Sequence, residues 1–591
     1  MKYVSRWCAW LPILSWIRDY DRHALAGDGV AAVIVTLMLI PQALAYAMLA
    51  GLPPVVGLYA SLAPLLIYTL LGTSTMLSVG PMAVVALMTA SALEGVATPG
   101  SGEYLSAALT LAVLSGAILI VMGIARLGFL VNFLSHPVMT GFVSASGVLI
   151  AASQLKHLTG ADIDGATLPT LLASVPDAVG KLSMPTLTIG ATALGVLLVL
   201  RHWGRGGLQR MGMSPGVAGL MVKLVPIFVI VSGSLAVMGL GWNAGAVSVI
   251  GEIPVGMPPL TLPSWAPGQW QTLLGSALLI SIVGYVESVS VGQALAVRRG
   301  ERLDPNQELV ALGSANLAAG CTGGMPVTGG FSRSVINFDA GARTPAAGAF
   351  TALGVLVAMM ALSPWLHDLP MAVLSATIVV AVLSLVDLEA FVRVWRYSHS
   401  EGVAMLVTAA VTLGAGVEWG ISTGVGVSLA LHLYRTSRPH SAEVGRIPST
   451  EHFRNVHRHA VETDTRVVIL RIDESLYFAN VRYLEDLVTE VVGRASPPQD
   501  LVLACQAVNI IDATALESLE TLNRRLVERG IRMHLAEVKG PVMDRLRTTA
   551  LCSELSGQIF LSLNDAWVAL HGRMPAPLSS PSRHVPHDQA S

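Results

Sequence analysis

Charge is scarce in this chain: only 13% of its 591 residues are Asp, Glu, Lys or Arg, while 53% are hydrophobic. Cysteine is scarcer still. Cys8, Cys321, Cys505 and Cys552 show neither pairing nor metal-ligand spacing, so free thiols are expected and no disulfide framework, structural metal or cofactor is implied. A net charge of −2, with no basic helix or run, gives no footprint for a nucleic-acid partner. No catalytic constellation stands out in the apolar stretches, which argues against an enzyme.

The scarcity is uneven. Through Arg438 there are 20 basic and 19 acidic residues in 438; the remaining 153 hold 16 and 19. A charge-poor membrane part is followed by a soluble one. Apolar stretches of about 20 residues, enough to span a bilayer, recur from Val30 to Leu433 with short loops. They predict fourteen spans, the last two beginning near Phe391 and Ala404. With both ends cytoplasmic, the inside loops collect nearly all the basic residues, among them Arg201, Arg205, Arg210, Arg343, Arg393 and Arg396; outside loops hold Lys156 and Lys181. Seven is odd, so two sets of seven spans have opposite orientation, the inverted repeat of secondary transporters.

Two short segments at corresponding places in the halves are broken by Gly and Pro: Ser78-Val79-Gly80-Pro81-Met82 and Gly329-Gly330-Phe331-Ser332-Arg333. A broken helix at membrane depth leaves N–H groups that lipid cannot satisfy, so it must be buried or line a cavity. One break carries an arginine, which points to an anion site. After Pro439 an α/β alternation predicts strands over Val467–Ile472 and Leu501–Val508, then a helix capped by Asp512 with Leu516, Leu519, Leu522 and Leu526 on one face.

The stretch from Leu39 to Ser61, LIPQALAYAMLAGLPPVVGLYAS, closely resembles the opening signature of the SulP sulfate permease family (solute carrier family 26). Gly72-Thr73-Ser74, Val79-Gly80-Pro81, the run from Gly128 to Val138 and Phe331-Ser332-Arg333-Ser334 support the resemblance, and the C-terminal part looks like that family's STAS domain. The resemblance implies a polytopic α-helical membrane protein of fourteen spans, a 7+7 inverted repeat of core and gate subdomains with a small cytoplasmic α/β STAS domain. It also implies dimerisation and an elevator-like movement. The expected layout is an interfacial N-terminal helix at 1–26, with Trp7, Trp10 and Trp16; the transporter at 27–438; a linker at 439–463; STAS at 464–574; and a disordered tail at 575–591.

In that family the anion lies between facing N-termini of half-helices in spans 3 and 10. Pro81 is suited to the first helical position, and Ser332 and Ser334 to capping the second half-helix, whose positive end favours an anion. Arg333 either attracts the anion or pairs structurally with Glu287 or a carbonyl. Gln42 and Tyr46, four apart on one helical face, and Met82 match site-lining positions; core packing is their plainer role. Glu287 is the only acidic residue placed deep in a span. Either it takes a proton with the substrate or it is a structural partner of Arg333. Sodium-coupled relatives pair this carboxylate with a hydroxyl one turn later, where this chain has Val291, leaving Ser290 as the nearest alternative. Thr514 falls where anti-sigma antagonists carry a phosphorylatable Ser or Thr, but a lone hydroxyl near a helix start is more often a cap.

The sequence thus reads as a secondary active transporter of an inorganic anion, sulfate first, coupled to protons. It is expected in the cell (inner) membrane as a homodimer with its N-terminus and STAS domain, and any STAS partner, on the cytoplasmic side. Bicarbonate or dicarboxylate uptake, or a channel-like conductance with STAS as a regulatory scaffold, remains open.

Overall fold

The computed structural model describes residues 11–129, 135–163, 165–242, 246–251, 256–261, 263 and 267–571. Two compact units divide the chain between Ser428 and Leu429. Residues 1–10, with Trp7, Trp10 and Cys8, and the expected tail lie outside the described residues.

In the first unit, six helices have the length and composition to cross a membrane: Arg22–Leu49, Pro54–Leu71, Gly102–Ile124, His136–Thr159, Met184–Arg210 and Gly268–Arg299. The first starts at Arg22, earlier than Val30, because Asp21 caps it by accepting from the Ala24 amide at 2.7 Å. Residues 22–26, assigned to the interfacial helix, therefore belong to this span.

Small residues set the tightest packing. Helices Gly102–Ile124 and Pro305–Cys321 approach so closely that a Cβ on Gly116 would lie 2.7 Å from the Gly313 carbonyl oxygen, and one on Gly313 2.7 Å from that of Gly116. Lipid offers no hydrophobic drive to join helices, so such backbone approach supplies the packing. The two broken segments meet in the same body. Val79–Gly80 and Thr328–Gly329 form a short antiparallel pair, followed by helices Ala83–Leu93 and Phe331–Asp339, each too short to cross a bilayer alone.

The span expected from Phe391 is not a span. Leu388–Tyr397 is a ten-residue amphipathic helix in which Glu389, Arg393 and Arg396 lie on one face and Ala390 is buried on the other. The single span expected from Ala404 is two helices, His399–Ala415 and Val417–Ser437, divided at Gly416, whose φ of 99° suits glycine. The two errors cancel. Among the described residues the crossing segments still number fourteen, counting Pro54–Tyr59 with Ala63–Leu71 as one.

The second unit is one six-stranded sheet. Its order is Phe453–Asn455, Ser441–Arg446, Val467–Ile472, Asp500–Ala504, Arg532–Ala536, Ile559–Phe560, the first two joined antiparallel and the last four parallel. The region read as a linker at 439–463 therefore supplies two strands of the sheet. The central strands are mostly apolar, Arg471, Asp500, Arg532 and His534 apart, because both faces are covered. Val468 and Leu470 pack with Leu484, Val488, Leu519 and Leu522 of helices Val481–Val492 and Ala513–Glu528, while Val467 and Ile469 pack with Trp567 of Leu563–Leu570.

Candidate functional site

Each half-helix starts without a side-chain cap. Met82 and Gly330 occupy the N-cap positions in extended conformation, and neither side chain accepts from the first turn. Asp21, Ser101, Ser214, Asp304 and Asp387 cap other helices, while several more, among them His136–Ser153 and Met371–Val382, start without a side-chain cap as the half-helices do. Uncapped first-turn amides and the positive dipole end suit an anion.

Hydrogen bonds lock the two breaks together. The Ser78 amide donates to Ser334 Oγ at 3.0 Å, and the Gly330 amide to the Ser78 carbonyl at 3.1 Å. Ser288 Oγ accepts from the Gly329 amide at 2.8 Å and lies 2.7 Å from Thr328 Oγ1. Asn316 brackets Val327, donating to its carbonyl at 2.8 Å and accepting from its amide at 2.9 Å. These bonds give the extended backbone at membrane depth partners from within the protein.

Arg333 is 2% exposed. Its Nη1 donates to the Pro81 carbonyl at 2.7 Å, while Nε and Nη2 have no partner. Gly330 and Gly80 lie against it: a Cβ on Gly330 would lie 3.2 Å from Nη2 and 2.7 Å from Met82 Sδ, so those side chains would have to shift, while one on Gly80 would make ordinary contact with Nη2 at 3.4 Å. Glu287 and Tyr46 lie within electrostatic reach of Arg333, and Glu287 Oε2 is buried without a partner. Gln42 is half-buried and shares with exposed Ser332 a cavity of about 280 Å³.

The structure thus brings Tyr46, Pro81, Met82, Glu287 and Arg333 together, with Gln42 and Ser332 on an adjoining cavity, and changes three roles. Pro81 precedes the N-cap instead of opening the helix, and offers its carbonyl to Arg333. Ser332 and Ser334 cap nothing: Ser334 is fully buried and holds the other break through Ser78, while Ser332 faces the cavity. Ser290 is exposed, and the Ser288 hydroxyl is committed to Gly329 and Thr328. Thr514 is exposed in the first turn of Ala513–Glu528, and Asp512 caps that helix, accepting from the Ala515 amide at 2.8 Å. Among the described residues no group of three or more His, Cys, Asp or Glu is placed to hold a metal ion.

Two buried carboxylates escaped the sequence reading, which placed Glu287 alone in the interior. Glu308 accepts from the Thr73 amide at 2.7 Å, Thr73 Oγ1 at 2.6 Å, the Ser74 amide at 3.2 Å and Tyr68 Oη at 2.8 Å, anchoring the chain that leads into Ser78. Asp28 accepts from the Arg343 and Thr344 amides and from Thr344 Oγ1, at 2.6, 3.0 and 2.6 Å. The signal for Glu308 was its place four residues after the Asp304-Pro305 helix start. Its partners lie some 235 positions earlier, beyond any local pattern.

Residues 25–408 match the model of the sulfate permease family and residues 458–566 that of the STAS domain. The chain is 34% identical to the probable sulfate transporter Rv1739c of Mycobacterium tuberculosis, over 95% of this chain and 98% of that one. It is 32% identical to sulfate transporter 4.1, chloroplastic, of Arabidopsis thaliana, over 94% and 82%. In fold it resembles the overall structure of SLC26A9, with a TM-score of 0.84 at 22% identity, covering 96% of this chain and 93% of that one. It also resembles the transmembrane domain of a cyanobacterial bicarbonate transporter, BicA, with a TM-score of 0.59 at 21% identity, covering 69% and 98%.

Proposed function

This chain belongs to the sulfate permease family, as a multi-pass membrane anion transporter with a STAS domain and not an enzyme, and from that premise we propose that it imports sulfate by proton symport. The observation that carries the reading is Arg333: a buried guanidinium between two uncapped half-helices, with two nitrogens unpartnered. An oxyanion satisfies those nitrogens and both sets of amides at once. The sulfate assignment draws on the relatives, which are named as sulfate transporters.

Glu287 is the proton carrier in this reading. Importing a dianion against a negative interior costs about 4.6 kcal/mol per 100 mV, twice the ~2.3 per charge. Each co-imported proton offsets half of that. A buried carboxylate beside an anion is driven toward its neutral form, so substrate and proton favour each other. The body carrying both breaks moves as a unit, elevator-like, against the remaining helices. The protein works as a homodimer in the inner membrane with STAS in the cytoplasm, where Thr514 is open to phosphorylation and the domain to a partner.

Uptake of labelled sulfate, bicarbonate and succinate into proteoliposomes, under imposed pH and sodium gradients, tests this. Saturable sulfate uptake driven by an inward proton gradient is expected. Sodium-driven uptake, preference for another anion, or a unitary conductance would each replace the reading.

A further inference from the structure

The cavity shared by Gln42 and Ser332 has a third polar wall. Arg201, on helix Met184–Arg210, lines it opposite helix Arg22–Leu49, and among its lining residues Arg201 alone carries a full charge. One of its nitrogens is accounted for. Helix Met371–Val382 ends with the Leu383 amide donating to Val379, Ser384 to Ala381 and Leu385 to Val382, so the Val380 carbonyl is passed over by the amides that follow. Arg201 Nη1 donates to that carbonyl. A cation at the negative end of a helix is a favourable cap.

A cap alone needs only one neutral donor, whereas a guanidinium has five donor hydrogens. The single bond to Val380 aims the fork and leaves most of them for the cavity. No carboxylate pairs with Arg201 among the described residues, and the remaining walls are largely apolar, among them Met38, Leu197 and Val225. Arg201 is exposed, so solvent screens part of its charge, while the low-dielectric walls beside it concentrate its field on the cavity in front of it. We propose that Arg201 is a second anion station, a specificity residue that receives the oxyanion in this cavity, against Gln42 and Ser332, before it reaches Arg333.

This rests on the reading of Arg333 as the anion site, and the test separates the two. Full-length protein in proteoliposomes is assayed for initial sulfate uptake over a range of sulfate concentrations and ionic strengths, as wild type, Arg201→Gln, Arg201→Lys, Arg201→Ala and Arg333→Ala. Glutamine removes the charge and keeps an amide donor, two atoms shorter in reach toward Val380 than Nη1. Arg201→Gln is expected to raise KM for sulfate roughly two- to fivefold, as for one exposed charge, and more than it lowers the maximal rate. It should also flatten the salt dependence, and Arg201→Lys should restore most of it. Arg201→Ala should add a loss of thermal stability, reporting the lost cap. Wild-type KM and salt dependence in Arg201→Gln would overturn the proposal and leave Arg201 a cap. If Arg333→Ala is normal as well, the anion-site reading falls too; if Arg333→Ala alone is defective, only the Arg201 station falls.

Discussion

Arg333 and Pro81 are 252 residues apart, and the Nη1 of one donates to the carbonyl of the other at 2.7 Å. The charged side chain of the second break thus closes over the backbone of the first. Neither half makes the site alone. Because the bond uses one guanidinium nitrogen and leaves two unpartnered, it fixes the direction of the group without consuming its capacity for an anion.

Arg333→Ala removes the charge and leaves both half-helices. A charge-assisted hydrogen bond is worth about 1.5 to 3 kcal/mol, so sulfate affinity should fall by roughly one to two decades, with monovalent anions affected less. Arg333→Lys should recover only part, since lysine lacks the planar fork. Dissociation constants for sulfate and chloride in folded variants check this; unchanged affinities would remove Arg333 from the site.

Glu287→Gln holds the carboxyl position neutral with nearly the same shape. Sulfate exchange across symmetric membranes should continue, while accumulation driven by a pH gradient should collapse. Counterflow and gradient-driven uptake, run on the same vesicles, distinguish the two. Equal loss of both in folded protein would make Glu287 structural.

In the STAS unit, the Asp500 carboxylate ties its own strand to Arg532–Ala536, and His534 carries the network on toward Ile559–Phe560. It accepts from Arg532 at 2.7 and 2.9 Å and lies 2.9 Å from His534 Nε2, whose Nδ1 accepts from the Gln558 amide. Burial pushes the Asp500 carboxyl up, but the hydrogen bonds from His534 and Arg532 outweigh it and hold its pKa below the ordinary 3.8. Its contribution is therefore complete above about pH 4 and lost as pH falls through the lower folded value. Asp500→Asn should destabilise this unit at neutral pH by about 3 kcal/mol, because it leaves Arg532 and His534 without their anion. Hydrogen exchange of the Asp500–Ala504 and Arg532–Ala536 amides in the full-length protein measures it; wild-type protection in the variant would contradict the assignment.

Removal of the chain after Pro439 should leave sulfate binding within a few-fold of the full-length value, since every proposed ligand lies in the first unit. Turnover or assembly can suffer. A folded truncation that binds no anion would show that STAS shapes the site.

The paired breaks, the arginine in one of them and the soluble domain were legible because each is a local signal: an apolar run, a Gly-Pro interruption, a charge where charge is rare. Asp512 was legible as a cap for the same reason, with cap and amide three residues apart. Local pattern failed where hydropathy averages over a mixed helix. Leu388–Tyr397 carries enough apolar residues to look like the start of a span, although Glu389, Arg393 and Arg396 at i, i+4 and i+7 already mark a charged face that averaging over a window hides. The strand Ser441–Arg446 looked like a linker because its support is a partner, Val467–Ile472, and not its own composition.

What the sequence by itself determined is the membrane character, the twofold arrangement of broken segments and the presence of a cation at one of them, all properties of runs shorter than a helix or two. Only the tertiary structure decided what each polar atom does. Ser334 serves Ser78, Pro81 serves Arg333, and Glu308 serves Thr73 and Ser74. A buried polar atom must find a partner wherever the fold brings one; those partners come from the other half of the repeat, and no window along the chain contains both.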